Sequence, residues 1–435
     1  MTEGESVVAE SQEAVFPAET IVTWQASPVR FGLGATRDIG YELRGLGMTS
    51  VLLITDRHLS RIGLPQRVGA LVEASGIAVK IYDGTKIEPS DRGCTEAARA
   101  IDPAGIDGYV AVGGGSSIDT AKVVNLLHSY PEGDLSRYLN RPMGDGSRVP
   151  GPLRPLVAVP TTSGTGSECT AMVALEVTAQ RVKTGIADSR LHPSAAIVDP
   201  LNTVTAPPAV TAASGYDVLC HACESYTARP FDRRPPYAAP EQRPIYVGAN
   251  PISDLWAERA LELVGRYFRR AVLNPDDIEA RTGMSQAALF AGMGFGNAGT
   301  HIPHACAYPV GGMVRDYVPD GYPMDHALVP HGQAVIVTAP AAFAFTYPAA
   351  PERHERAAQL LGGPTVGGAD ALPEAIRGIV RDTGGPSGLA AFGYTTADLP
   401  GLVEGGIKQQ RLLACCPRPA DARDLRRVLQ ASMVG

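Results

Sequence analysis

The sequence predicts two domains: an α/β amino-terminal domain with a doubly wound parallel sheet, and an all-α carboxy-terminal domain. Three observations support this fold class. Short apolar runs alternate with helical segments as far as Pro200, a pattern typical of parallel strands joined by crossover helices. After Pro207 and Pro208 only long helical segments follow. The chain of 435 residues also exceeds the roughly 100–200 residues of an ordinary domain.

Five apolar runs predict the strands of the first domain: Ser50–Thr55, Ile77–Tyr82, Tyr109–Val112, Pro155–Pro160 and Ala195–Val198. We expect the principal helices of the second domain at Ala209–Ala228, Ser253–Leu273, Ile278–Met293 and Ala371–Asp382. The stretch Arg229–Asn250 carries five prolines, which exclude a continuous helix and indicate an ordered loop or a lid. The expected organisation is a disordered tail over 1–20, the α/β dinucleotide-binding domain over 21–205, and the all-α metal-binding domain over 206–435 with an Arg/Pro-rich insertion at 229–250.

Composition disfavours several kinds of partner. The formal net charge is -7, whereas a nucleic-acid binder needs a basic surface. No apolar run approaches the roughly 18 residues of a membrane span, so we expect no membrane partner. The acidic amino terminus resembles neither a secretory signal nor an arginine-rich transit peptide, which predicts a cytoplasmic protein. Without such a signal, the seven cysteines favour reduced thiols.

Two loops together predict a nucleotide site. The first follows an apolar strand and precedes a helix whose first turn carries Asp119; it consists of Gly113, Gly114, Gly115, Ser116 and Ser117. Glycines let backbone N–H groups approach a phosphate at a helix N-terminus. The second loop, Pro160–Glu168, precedes an apolar segment expected to be helical and offers hydroxyls that include Thr161, Thr162 and Thr165. Either loop alone is compatible with an ordinary turn, but two within one α/β unit favour nucleotide binding.

Two further residues bear on the cofactor. Asp56 directly follows the strand Ser50–Thr55, where a carboxylate can accept hydrogen bonds from a ribose, which favours NAD over NADP. Aspartate after a strand is also a common turn residue. Only five lysines occur in the chain, and Lys122 and Lys183 lie in the predicted cofactor domain, where a compact ammonium suits phosphate or ribose oxygens.

Histidine and carboxylate residues cluster in the second half of the chain. Asp217 and His221 lie four residues apart on a predicted helix, with Glu224 three residues further on, so these side chains share a face. His301 and His304 follow within Gly299–Gly312, and His331 comes later. A lone Asp/His pair indicates buried polarity more often than a metal, but the added histidines favour a metal centre. Three imidazoles and one carboxylate suit either Fe²⁺ or Zn²⁺.

These segments carry a family resemblance. GGGSSIDTAK, PTTSGTGSE, the helix with Asp217 and His221, HACAYPVGG and VPHG occur in this order and resemble the iron-containing (group III) alcohol dehydrogenases from about Trp24 onwards. Within that family, IYVGANPISD, NPDDIEAR and FGNAGTHIPHACAYPV resemble the hydroxyacid-oxoacid transhydrogenase branch. The resemblance implies a dehydroquinate synthase-like architecture, a metal and bound NAD. It assigns the metal to Asp217, His221, His304 and His331, and NAD to Gly113–Ser117, Asp119, Thr161, Thr162, Thr165 and Lys183, with Asp56 near the adenosine.

The resemblance also implies a reaction. A hydroxy acid is oxidised and an oxo acid is reduced through tightly bound NAD, with 4-hydroxybutyrate and 2-oxoglutarate giving succinate semialdehyde and 2-hydroxyglutarate. We expect Fe²⁺ as the metal, with Zn²⁺ as the alternative, and a homodimer. Several family dehydrogenases have a second histidine four residues after His304, where this chain has Tyr308. His301 or Tyr308 is therefore the candidate for proton transfer, with a supporting or core position of His301 as the alternative.

The carboxylates of such substrates require a cation, and arginine binds a carboxylate bidentately. Arg234 and Arg243 of the insertion are the candidates, although both could simply solubilise a proline-rich loop. Three other functions remain open at this point: an NAD-linked alcohol dehydrogenase that releases NADH, a metal-dependent lyase of the dehydroquinate synthase type, and a non-enzymatic NAD-binding regulator.

Overall fold

The computed structural model describes residues 18–180, 182–322, 324, 326–363 and 367–434. Its strands are β1 Val29–Phe31, β2 Ser50–Asp56, β3 Ala78–Thr85, β4 Gly108–Gly113, β5 Leu156–Pro160, β6 Met172–Val177, β7 Val182–Ala187 and β8 Ala195–Val198. Six of them form one sheet in the order β1-β8-β5-β4-β2-β3, and every pairing within it is parallel. All five predicted strands lie in this sheet.

Helices cover both faces of the sheet, as the predicted doubly wound arrangement requires. They are α1 Ile39–Gly45, α2 Arg57–Arg61, α3 Leu64–Glu73, α4 Asp91–Ala100 and α5 Gly115–Ser129. On one face Val51 and Val110 pack with Val68 of α3. On the other face Leu52 and Tyr109 belong to the apolar cluster that includes α4 and α5 residues. Alternate residues of a strand point to opposite faces, so two separate apolar cores form.

The segment after β5 differs from the sequence-based expectation. Pro160–Glu168 was expected to precede an apolar helix, but a short 3-10 turn at Ser167–Cys169 leads into the antiparallel hairpin of β6 and β7. Buried charges of α5 hold this hairpin. Lys122 Nζ donates to the carbonyls of Thr170 at 2.9 Å and Met172 at 2.7 Å. Asp119 accepts from the backbone N–H of Ala174 at 2.8 Å, so distant contacts override the local pattern.

The second half of the chain is helical, as predicted. Its helices are α6 Pro208–Thr227, α7 Pro251–Leu273, α8 Ile278–Ala298, α9 Ile302–Gly312, α10 His331–Ile336, α11 Ala339–Thr346, α12 Pro351–Leu360, α13 Ala371–Asp382, α14 Leu399–Ile407, α15 Gln410–Leu413 and α16 Ala422–Ala431. The insertion at 229–250 contains two 3-10 turns, Phe231–Arg233 and Pro240–Gln242, in place of a continuous helix. All seven cysteines are buried free thiols. No helix within the described ranges is long and apolar enough to cross a membrane.

Residues 18–28, here called the amino-terminal strap, connect the two halves of the molecule. Residues 1–17 of the expected disordered tail lie outside the described residues. The end of that tail differs from the expectation, because Glu19 is buried and pairs with Arg243 at 2.8 Å. Trp24 then stacks on Trp256 of α7 with ring centroids 6.1 Å apart, and its indole N–H donates to the carbonyl of Met293 in α8 at 3.2 Å. The strap leads directly into β1 at the edge of the sheet.

Candidate metal and cofactor site

Three helices bring the predicted metal ligands together. Asp217 and His221 lie one turn apart on α6, His304 lies in the first turn of α9, and His331 begins α10. Gly332 makes this assembly possible, because a Cβ there would lie 1.9 Å from the carbonyl oxygen of Ala213. Only a residue without a side chain lets α10 start this close to α6.

The side chains of Asp217, His221 and His304 converge on one point, and His331 lies beside Asp217. The Oδ1 atom of Asp217 lies 3.6 Å from Nε2 of His221, 3.4 Å from Nε2 of His304 and 3.9 Å from Nε2 of His331. Oδ1 of Asp217 and Nε2 of His304 are buried and have no hydrogen-bond partner among the described residues. Buried polar atoms are rarely left unpaired, so this set fits a divalent cation. Three nitrogens and one oxygen suit Fe²⁺ and Zn²⁺ alike.

The electrostatics of the cluster also suit a cation. Burial works against ionisation of Asp217, but the neighbouring imidazoles of His221 and His331 outweigh it and hold its pKa well below the ordinary value. Burial lowers the pKa of His221 and of His331 to about 4, so both rings are neutral at pH 7. Asp217, His221 and His331 are therefore in the protonation states that metal binding requires, namely ionised carboxylate and neutral imidazole. His304 must release a proton when a metal binds, because its pKa is raised.

Glu224 stands one layer behind this cluster. The helical spacing predicts Glu224 on the same face as Asp217, but its carboxylate accepts from Nδ1 of His304 at 2.5 Å and from the backbone N–H of His301 at 2.6 Å. Burial opposes the charge on His304, yet Glu224 and Asp217 outweigh burial and raise the pKa of His304 to about 9. A carboxylate on the outer nitrogen fixes the tautomer and orientation of a metal-binding histidine.

A cavity, here called the central cavity, lies between the metal cluster and the carboxyl edge of the sheet. Asp217 and His331 line one side. The other side contains most of the residues predicted to bind the cofactor, namely Asp56, Gly114, Gly115, Ser116, Ser117, Thr161, Thr162 and Thr165. These residues follow β2, β4 and β5, which are neighbours in the sheet, so the crevice lies where open α/β sheets bind ligands.

The turn between β4 and α5 fits an anionic group. Gly114 is the N-cap of α5, and no side chain caps this helix end, which leaves its first N–H groups for a ligand. The backbone N–H of Thr161 donates to the carbonyl of Gly113 at 3.0 Å, so the two loops are joined. A Cβ on Gly115 would lie 2.5 Å from Cγ2 of Thr165, and glycine is therefore needed where the loops touch.

Nine predicted site residues do not line the central cavity: Gly113, Asp119, Lys183, His221, His301, His304, Tyr308, Arg234 and Arg243. Four of them have contacts that point away from it. Asp119 is turned into the protein, where it accepts from Ser167 Oγ at 2.6 Å. His301 is buried against Phe343 and pairs with Thr227 at 3.1 Å, so it supports the cluster from behind. Arg234 and Arg243 lie in the insertion and contact the amino-terminal strap at Ile21 and Glu19. The hypothesis that either arginine reaches the central cavity does not agree with these positions.

Tyr308 and Lys183 do not line the central cavity either, but each contacts a residue that does. Tyr308 is one turn after His304 on α9, and its ring centroid is 6.1 Å from that of His331. Burial raises the pKa of Tyr308 to about 12, so the phenol is protonated at neutral pH. Lys183 forms a short ion pair with Glu88, and Glu88 lines the central cavity.

Glu88 was not found by sequence reasoning. Its φ of 56° is in the left-handed region, which is uncommon outside glycine and often marks functional sites. Its backbone N–H donates to Ser116 Oγ at 3.0 Å, and this bond ties it to the glycine-rich turn. The sequence could have indicated Glu88 only through its position just after β3, at the same edge of the sheet as the loops that follow β2, β4 and β5.

Comparison with known proteins agrees with this architecture. Residues 26–200 match the family model described as iron-containing alcohol dehydrogenase, and residues 244–433 match the carboxy-terminal model of the same family. The hydroxyacid-oxoacid transhydrogenase of Bos taurus, a mitochondrial protein, is 45% identical over 94% of this chain and 89% of its own length. The corresponding protein of Homo sapiens is 44% identical over 94% of this chain and 88% of its own length.

Solved structures show the same fold. A 1,3-propanediol oxidoreductase superposes with a TM-score of 0.82 and 30% identity over 95% of this chain and all (100%) of its own. The sulfoacetaldehyde reductase of Bifidobacterium kashiwanohense, solved in complex with NAD⁺, superposes with a TM-score of 0.77 and 27% identity over 95% of this chain and 99% of its own.

The comparisons overturn one expectation. The acidic amino terminus predicted a cytoplasmic protein, but the curated relatives that are 44–45% identical to this chain are mitochondrial. The prediction of a cytoplasmic location is therefore wrong. The prediction failed because it rested on the lack of a basic targeting pattern. That is weaker evidence on location than mitochondrial relatives that match most of the chain.

Proposed function

The chain belongs to the iron-containing alcohol dehydrogenase family, and on that premise we propose that it is a hydroxyacid-oxoacid transhydrogenase. It is an oxidoreductase that acts on CH–OH groups of small molecules, and membership in the family implies NAD and a divalent metal. One observation carries the proposal: the same cavity is lined by Asp217 and His331 of the metal cluster and by the uncapped turn of α5. The relatives that carry the transhydrogenase name match 94% of the chain.

The proposed substrates are 4-hydroxybutyrate and 2-oxoglutarate. The first loses a hydride from its carbinol carbon and a proton from its hydroxyl, which gives succinate semialdehyde. The second gains a hydride at its oxo carbon and a proton at its oxygen, which gives 2-hydroxyglutarate. The two half-reactions balance, so the net change in the cofactor is zero over one complete cycle.

We assign the metal to Asp217, His221, His304 and His331, with Fe²⁺ as the proposed ion and Zn²⁺ as the alternative. When bound, the ion supplies Lewis-acid polarisation of the substrate oxygen, and the nicotinamide supplies a hydride acceptor and donor. The chain contributes the orientation of its ligands. Glu224 fixes His304 through Nδ1, and Phe295 stacks on His221 with ring centroids 3.8 Å apart.

We assign the pyrophosphate of NAD to the turn Gly113–Ser117 and the second loop at Thr161, Thr162 and Thr165. The N-terminus of α5 favours negative charge through its dipole and its free N–H groups. Asp56 lines the same cavity and also accepts from the backbone N–H of Leu59 at 2.9 Å, so its carboxylate is held in place beside the proposed ribose. We place Asp119 behind this turn, where it stiffens the hairpin of β6 and β7.

We propose Tyr308 as the group that exchanges the substrate proton. It is a neutral phenol beside His331, whereas His301 lies behind Glu224. A phenol can donate its proton to an oxo acid and recover one from a hydroxy acid within the same cycle. Tyr308→Phe is therefore expected to lower kcat while metal content and NAD content stay unchanged.

The decisive experiment supplies 4-hydroxybutyrate to the purified holoenzyme with and without 2-oxoglutarate. A transhydrogenase forms succinate semialdehyde continuously only when the oxo acid is present, and NADH does not accumulate in solution. Steady accumulation of NADH without an oxo acid would instead identify an NAD-linked alcohol dehydrogenase. A denatured extract should also release NAD(H) in an amount comparable to the protein.

Two further features remain proposals. We place the domain boundary near 205/206, between β8 and the start of α6, and the two family models end and begin on either side of it. We also propose a homodimer. The molar mass measured by light scattering after size-exclusion chromatography would test it. A monomeric mass would contradict it.

A further inference from the structure

A second cavity of about 350 Å³, here called the arginine cavity, lies beside the insertion. Four arginines line it and no acidic residue does: Arg148, Arg229, Arg234 and Arg411. They come from three separate parts of the chain, namely the segment before β5, the region from the end of α6 into the insertion, and α15. The cavity therefore concentrates positive charge in a protein whose formal net charge is -7.

These charges lack counterions. In the part of the chain that the structure describes, none of the four guanidinium groups pairs with a carboxylate within 4.0 Å. Arg148 donates to the backbone carbonyls of Glu241 at 2.6 Å and Arg243 at 3.3 Å. Such carbonyls satisfy donors but do not neutralise charge. Clustered cations in a partly buried wall repel one another and lose hydration, so an anion in the cavity would relieve both costs.

Arg234 provides an independent indication of a ligand. It is only 3% exposed. Its Nε and Nη2 atoms donate to the carbonyls of Phe231 at 2.9 Å and Ile21 at 3.1 Å. Its Nη1 atom is buried and has no hydrogen-bond partner among the described residues. A buried donor left unpaired is costly, and the residue lines the cavity, so one donor of a rigidly held guanidinium remains for a ligand.

Arg411 connects the arginine cavity with the metal cluster. Its guanidinium lies 4.4 Å from the ring centroid of Tyr246, and Tyr246 and Tyr308 belong to one buried apolar cluster. Tyr308 in turn lies next to His331. Tyr246 and Tyr308 therefore link Arg411 to His331 through this cluster. Arg243 differs, because it pairs with Glu19 and lines a different cavity.

We propose that the arginine cavity binds the carboxylate of a small organic acid, with Arg234 and Arg411 as its principal contacts. Two forked guanidinium groups suit the planar carboxylate, and the choice of acids as the ligand class rests on the proposed function. We assign the carboxylate to a second acid molecule that binds beside the reaction site, because the two cavities share no lining residue; the other source is the reacting acid itself. The chemistry is the same in both cases, and the experiments below separate them.

The first experiment measures binding with succinate, a dicarboxylate that has no hydroxyl or oxo group to react. Succinate is expected to raise the Tm of the wild-type holoenzyme, since a ligand of the folded state stabilises it. Chloride at matched ionic strength should not. Arg234→Gln and Arg411→Gln are expected to weaken succinate binding about 10-fold or more, the loss expected for a charged hydrogen bond.

Arg418→Gln is the matched control. Arg418 also lies near the carboxy terminus and stacks on an aromatic ring, 4.3 Å from the centroid of Phe345, but it does not line the arginine cavity. This variant should bind succinate like the wild type. If a buried variant fails to fold, Arg148→Gln tests the same cavity, because Arg148 is exposed at its rim and a weaker response is still expected.

The second experiment identifies which carboxylate is bound. If the cavity holds the carboxylate of the reacting acid, Arg234→Gln raises KM for 4-hydroxybutyrate about 10-fold but leaves kcat/KM for uncharged 1,4-butanediol unchanged, and succinate inhibits competitively. If the cavity holds a second acid, Arg234→Gln leaves KM for 4-hydroxybutyrate and for 1,4-butanediol unchanged. Succinate then has a non-competitive effect on the wild type, and this effect disappears in the variant. Either result supports a carboxylate site.

Three results would overturn the proposal: no stabilisation of the wild type by succinate, equal stabilisation of the arginine variants, or an equal response to inorganic phosphate. Failure of the proposed function looks different. Succinate binding that depends on Arg234 and Arg411, without turnover that depends on an oxo acid, would refute the transhydrogenase and leave the carboxylate site intact. Oxo-acid-dependent turnover, with succinate binding indifferent to every arginine variant, would refute the cavity alone.

Discussion

Glu224 determines how His304 is presented, although it is not placed among the metal ligands. We expect Glu224→Gln to weaken affinity for the divalent metal by about 10–100-fold, because the substitution removes the charge that orients the imidazole. A competition titration with a coloured chelator measures this. Glu262→Gln on the exposed side of α7 is the control and should bind metal like the wild type. Equal affinity of the two variants would show that Glu224 only fills space.

Lys183 occupies a confined position between the cofactor domain and α9. A Cβ on Gly311 would lie 2.6 Å from its Nζ atom, and the ammonium is paired with Glu88. We expect Lys183→Arg to weaken NAD binding, since the planar guanidinium needs more room than the ammonium. NAD content after purification and titration of the stripped protein measure the loss. Lys408→Arg on the surface is the control, and unchanged affinity in both variants would contradict a cofactor role.

Site residues that lie close together in the chain could be predicted from their spacing. Site residues that are brought together from distant parts of the chain could not. Asp217 and His221 could be placed on one helix face because the period of a helix is known. The role of Arg411 could not be predicted, because its cavity is completed by residues far away in the chain. Arg234 and Arg243 look alike in the insertion, but only the fold reveals that Glu19 forms a direct ion pair with Arg243 and none with Arg234.

Among the elements, the hairpin of β6 and β7 depends on one buried lysine. Lys122→Met would leave the carbonyls of Thr170 and Met172 without a donor and would remove the cation 3.8 Å from Asp119. We expect the free energy of unfolding to fall by about 3 kcal/mol, the cost of breaking a buried charged pair. Urea denaturation measures it. Lys80→Met on exposed β3 is the control, and a surface change of this kind usually stays within about 0.5 kcal/mol.

The same hairpin shows why some elements escaped prediction. The strands of the parallel sheet are buried on both faces and read as short apolar runs bounded by turn residues. β6 and β7 also contain apolar residues, but their position is fixed by Asp119 and Lys122 of α5, about 50 positions earlier in the chain. β1 has three residues, too few for any periodic pattern to appear. Local sequence therefore predicts the strands of the parallel sheet better than it predicts the hairpin of β6 and β7.

For the molecule as a whole, buried neutral histidines predict acid sensitivity. Burial lowers the pKa of His192, His301 and His354 to about 4 from an ordinary 6.5. Between these values the unfolded chain binds protons that the folded chain does not, so the free energy of unfolding falls as the pH falls from about 6.5 to about 4. Glu168 acts in the opposite direction, because burial raises its pKa to about 7, and burial also raises the pKa of Asp119 and of Asp254. In the metal-free protein His221 and His331 add to the effect of the other histidines, so the histidines outnumber these carboxyls.

Thermal denaturation of the metal-free protein across this pH range tests the expectation. The Tm should fall steadily towards acid pH, and His354→Gln should make the decline shallower because one of these histidines is removed. A Tm that is constant or rises towards pH 4 would show that these histidines are protonated without unfolding.

Trp24 and Trp256 are the only two tryptophans in the chain, and they stack on each other where the amino-terminal strap meets α7. All indole fluorescence of the protein therefore originates from one seam. Coupled indoles give a near-ultraviolet circular dichroism band that is lost when the rings separate. This band therefore reports, without any attached dye, whether the sheet and the helices move apart during a catalytic cycle.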